Sequence, residues 1–80
     1  MINNFCHITS VHPFDEQVAV QATQVLRAAG YGVLAEGDEL RVRGPLDRSR
    51  RQVELVLRER FHTVQEYDGL TRKFVGYKIY

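Results

Sequence analysis

An 80-residue chain makes one domain over residues 1–80, and a domain this small buries only about 60% of the surface its unfolded chain exposes. Its 44% hydrophobic and 26% charged residues are globular proportions, and a net charge of +1 is far from the strongly basic balance of a dedicated nucleic-acid domain. The single cysteine, Cys6, excludes an internal disulfide, the opening MINNFCHITS lacks a signal-peptide pattern, and no run of about eighteen apolar residues suggests a membrane span; the expectation is a cytoplasmic protein of a reducing compartment.

Residues 2–10 read as a strand, on Ile2, Phe5, Cys6, Ile8 and Thr9. A helix is expected from about Pro13, with Asp15 and Glu16 in its first turn where the helix dipole favours acids. Phe14, Val18, Ala22, Val25 and Ala29 recur at helical spacing, Leu26 widens the stripe, and Gly30 marks the stop. Tyr31–Glu36 and Glu39–Arg43 form a hairpin around Gly37-Asp38, a pair suited to a type II′ turn. Alternation puts Leu40 and Val42 on the buried face and Glu39, Arg41 and Arg43 on the other. Gly44-Pro45 ends that strand.

A second helix is expected over Leu46–Phe61, with Leu46, Val53, Val56, Leu57 and Phe61 on its inner side. Leu55 falls opposite them, among Arg48, Arg51 and Arg58. His62–Tyr67 and Arg72–Tyr80 then make a second hairpin around Asp68-Gly69, with Val75, Tyr77 and Ile79 facing one way and Phe74, Gly76, Lys78 and Tyr80 the other. The resulting order predicts an α+β, ferredoxin-like β-α-β-β-α-β fold with an appended C-terminal strand, both helices lying on one face of an antiparallel sheet.

Charge is distributed unevenly. Residues 15–39 hold five acids and one base, Arg27, whereas residues 41–60 hold seven arginines and three acids. Arginine suits contacts with carboxylates, phosphates and aromatic rings, although arginine-rich codon usage would enrich it equally.

The chemistry-bearing side chains form no catalytic pattern. Cys6 and His7 are adjacent, so a strand sends them to opposite faces. His7, His12 and His62 lack the spacing of a zinc site, and no phosphate-binding glycine motif occurs. The expectation is a protein without catalysis, metal, cofactor or small-molecule substrate. Phe74, Lys78 and Tyr80 are residue types that sheet-based RNA readers use, yet the strand ELRVRG lacks the aromatics of the RNP1 pattern. Nucleic acid is therefore a secondary candidate, and a protein partner is the main one. The proposed contact residues are Arg41, Arg43, Arg48, Arg51, Leu55 and Arg58, an apolar centre rimmed by arginine, with Phe74, Lys78 and Tyr80 as a second surface.

The stretch VLRAAGYGVLAEGDELRVRGPLDRSRRQVELVLRER, residues 25–60, resembles TubC-type docking domains: a helix ending L-R-x-x-G, a hairpin around G-D-x-L-R-V, and an arginine-rich helix. In that family the hairpin and the following helix bind a short terminal segment of a partner megasynthase subunit. The resemblance implies that Leu40, Arg41, Val42 and Arg43 sit at a docking edge. In size and style the chain also resembles small phage-encoded inhibitors such as anti-CRISPR proteins, which implies that it would occlude a nucleic-acid-handling protein complex.

Overall fold

The computed structural model describes residues 5–80. In chain order it contains β1 (Cys6–Pro13), α1 (Glu16–Ala28), β2 (Gly32–Glu36), β3 (Glu39–Gly44), α2 (Arg50–Arg58), β4 (Thr63–Tyr67) and β5 (Phe74–Ile79). The predicted strand position Ile2 lies outside the described residues. The α+β class follows the sequence pattern, with both helices over one face of a five-stranded sheet.

The strand order departs from expectation. It is β2-β3-β1-β5-β4, with β1 antiparallel to β3 but parallel to β5. A ferredoxin-like sheet would place the strand after the second helix beside β1, with the appended strand beyond it. Here the last strand takes the place beside β1, and the sheet is mixed rather than antiparallel. The reason lies in the two sequences. In β5, Gly76, Tyr77 and Ile79 are buried, whereas β4 (TVQEY) buries only Thr63. A strand covered on both sides must be apolar on its core face, and a polar strand belongs at an edge.

Each helix begins later than its apolar pattern suggests. Pro13 still belongs to β1, and Asp15 is the N-cap of α1, its Oδ1 accepting the Val18 N–H at 2.9 Å. Phe14 therefore precedes the helix and is 65% exposed instead of heading its buried stripe. At the other end, the Tyr31 N–H reaches the Leu26 carbonyl and the Gly30 N–H reaches that of Arg27, which closes the helix with a Schellman motif. Helix α2 starts after Ser49, whose N–H donates to Gln52 Oε1 at 2.9 Å, so Leu46 lies in the preceding turn, exposed.

The core joins Ala22 and Leu26 of α1 to Val53 and Leu57 of α2 over Val11, Leu40, Val42 and Ile79 of the sheet, with Tyr31 and Phe61 closing it. The first hairpin has the expected register. Leu40 and Val42 are buried and Arg41 and Arg43 exposed, alternating along β3. Gly37 has φ 61° and Asp38 a negative φ, as a type II′ turn requires.

In the second hairpin the alternation breaks. Glu66 pairs with Gly76 but Tyr67 with Phe74, leaving Val75 as an extra residue, a β-bulge. Gly76 has φ +146°, and a Cβ there would stand 2.5 Å from the Ser10 carbonyl oxygen. Only glycine lets β5 lie against β1 at this point.

Candidate interaction surfaces

The residues proposed from sequence as one surface occupy two faces of the molecule. Leu40 and Val42 point toward the helices, so Arg41 and Arg43 point away from them, onto the open face of the sheet. Arg41 Nε pairs with Glu36 Oε1 at 2.9 Å, and Arg43 Nη2 donates to the Phe5 carbonyl at 3.2 Å. Helix α2 covers the other face. The short Gly44-Pro45 connection carries the chain around the sheet instead of bringing the two sets together. Moreover, β3 is paired on both sides and buries Leu40 and Val42, so it is not an edge of the sheet; the edge strand beside it is β2.

On α2, Arg51, Leu55 and Arg58 share the outer side at spacings of four and three. Leu55 is 53% exposed. Arg48 lies before the helix, its guanidinium 5.6 Å from the centre of the Tyr31 ring and its Nη1 3.4 Å from the Tyr31 hydroxyl. The arginine rim is thus narrower than the helical wheel implies.

A buried carboxylate, unmarked in the sequence reading, anchors this helix. Glu54 is 3% exposed; its Oε2 accepts from Arg58 Nε at 2.9 Å and its Oε1 from Gln65 Nε2 at 3.1 Å. Burial pushes its pKa up, but hydrogen bonds from Gln65 and Tyr77 and the charges of Arg58 and Arg51 outweigh that and hold it below the ordinary 4.5. The same burial, with the Glu54 carboxylate beside it, raises Tyr77 to about 12. Polar residues at 54 and 65 give no hint from sequence that a helix and an edge strand will join them.

The second proposed surface also divides. The bulge turns Phe74 to the helix side, where its ring lies 5.0 Å from that of Tyr77 and under the Arg50 guanidinium, 3.8 Å away. Lys78 remains on the open face, its Nζ 5.4 Å from the Tyr80 ring. Tyr80 packs against Phe14 (5.6 Å) and His62 (5.8 Å) in a partly exposed aromatic group. On the open face His12 joins two strands to its own, with Nδ1 2.8 Å from Glu66 Oε1 and Nε2 3.8 Å from Glu39 Oε2. Gly76 leaves the room this needs, since a Cβ there would stand 3.3 Å from the His12 ring. Among the described residues no group of three His, Cys, Asp or Glu side chains could hold a metal ion, and no helix is long and apolar enough to cross a membrane.

The structure forms one further surface. Where α1 begins, it stands beside the β2–β3 turn, leaving a groove of about 380 Å³. Pro13, Ala19, Ala35 and Leu40 supply its apolar lining, and Phe14 stands at its edge. Asp15 and Glu16 line it from one side, Asp38 and Glu39 from the other, and no basic residue lines it. The acid-rich composition of residues 15–39 was visible in the sequence; the convergence of its two ends was not.

No protein-family model, curated protein or solved structure matches this chain.

Proposed function

We propose that this is a non-catalytic binding protein that works by surface contact, its partner-facing surface being the outer side of α2: Leu55 between Arg51 and Arg58, extended by Arg48. The observation that carries the reading is a half-exposed leucine at the centre of an arginine-bearing helix face. Apolar and arginine side chains at the middle of a patch are what contribute most to protein interfaces. The charge of a lone exposed arginine is screened by water and salt, but a partner that excludes water around Leu55 would strengthen each neighbouring contact.

The specific activity proposed is that of a phage or mobile-element inhibitor of the anti-CRISPR kind, which occludes a nucleic-acid-handling protein complex. The chain would be expressed in bacteria whose CRISPR immunity blocks a targeted phage, and plaques counted. Restored infection that is lost in folded Leu55→Asp and in folded Arg48→Glu/Arg51→Glu is the expected result. Unaltered immunity across effector types would reject the inhibitor role. Direct binding of nucleic acid by the purified chain, steeply salt-dependent and sensitive to the arginine changes but not to Leu55→Asp, would favour the nucleic-acid reading instead.

A further inference from the structure

We infer that the groove between the start of α1 and the β2–β3 turn is a second docking site, and that its occupant is an arginine-bearing peptide segment of a partner protein. This does not rest on the α2 reading, since the two sites share no residue.

Three observations point to that occupant. Of the acids lining the groove, Asp15 caps α1 and Glu39 lies 3.8 Å from His12 Nε2, which leaves Glu16 on one side and Asp38 on the other with no ion pair among the described residues and no basic residue in the lining. Between them the lining is apolar, which favours a chain that brings methylene or leucine surface along with its charge. At the edge stands Phe14, 65% exposed, its ring 5.6 Å from that of Tyr80 and tilted 39° to it. A carboxylate beside an exposed aromatic ring is the chemistry that takes a guanidinium, which pairs with the former and stacks on the latter; Phe14 offers that ring, since the Tyr80 ring already has Lys78 Nζ at 5.4 Å. The chain satisfies its own arginines in the same way, with Arg50 over Phe74 and Arg58 against Glu54.

The probe is a short fluorescein-labelled peptide of alternating arginine and leucine, followed by fluorescence anisotropy, with a glutamate-leucine peptide for comparison. Glu16→Lys/Asp38→Lys changes the groove without touching the Asp15 cap or the Glu39–His12 contact. Asp47→Lys/Glu59→Lys makes the same change in net charge at exposed positions outside the groove. The expected result is that the arginine peptide binds and the glutamate peptide does not. The groove variant should lose about tenfold in affinity and Phe14→Ala should lose severalfold, while the Asp47/Glu59 variant binds almost as well as the parent. Circular dichroism establishes that each variant is folded. Absence of binding by the parent protein, or an equal loss in both charge variants, overturns the proposal. So does concentration-dependent self-association in sedimentation that Glu16→Lys/Asp38→Lys and Arg51→Glu each abolish, because the occupant would then be a second copy.

Discussion

The two hairpins use similar lengths of chain to opposite ends. The first, β2–β3, has an unbroken alternation, a two-residue turn and a one-to-one register from Gly32↔Arg43 to Glu36↔Glu39. Its second strand enters the sheet, and its first stays at the edge. The second, β4–β5, has a longer connection in which Asp68 Oδ1 accepts the N–H groups of Leu70 and Thr71, both at 2.8 Å. Its ladder is interrupted by a bulge, and it is held by groups distant in sequence: Ser10 against Gly76, and Glu54 on Gln65. The first hairpin is specified by its own residues, the second by what it packs on. Their tolerance to change should differ accordingly.

The largest effect is expected at Gly76. Gly76→Ala places a Cβ 2.5 Å from a backbone oxygen of β1 and holds alanine at φ +146°. It should cost about 3 kcal/mol or more, from strain and overpacking together. Urea unfolding measures this; a loss below 1 kcal/mol would mean that the bulge relaxes freely. Next, Val42→Ala empties a fully buried site in the first hairpin and should cost about 1–3 kcal/mol, measured in the same way.

Glu54→Gln tests the tie between α2 and β4. The folded-state pKa of Glu54 lies below its ordinary 4.5, so its stabilisation is present above that value and is lost as pH falls through the lower folded value. The variant should lose about 1 kcal/mol at neutral pH and show a shallower decline of stability with acid; parallel curves for the two proteins would remove Glu54 as the cause. The smallest effect belongs to Gly37→Ala. The turn residue has φ 61° but open space where a Cβ would stand, so backbone preference alone applies, at about 1 kcal/mol. A cost equal to that of Gly76→Ala would erase the distinction between the hairpins.

The candidate surfaces divide in the same way. Leu55 could be read as exposed because helical spacing alone puts it opposite Val53, Val56 and Leu57. The pairing of Arg41 and Arg43 with the α2 arginines failed because a strand's outward face and a helix packed on its inward face lie on opposite sides of a sheet. Phe74 was misplaced by one parity step, because counting along β5 has no means of seeing that Val75 is extra.

From residue order alone came the number and types of elements, the burial of Leu40 and Val42, the type II′ turn, and the exposure of Leu55. Each depends on interactions within about one strand or one helical turn, where spacing dictates direction. Tertiary structure decided the strand order, the bulge at Gly76, the buried Glu54–Arg58–Gln65 group, and the groove that brings Asp15 and Glu16 to face Asp38 and Glu39. The groove depends on how α1 packs beside the first hairpin, and the other three on which strand lies beside β1. That choice rests on burying β5 and leaving polar β4 at the edge, a comparison between whole strands that no local pattern expresses.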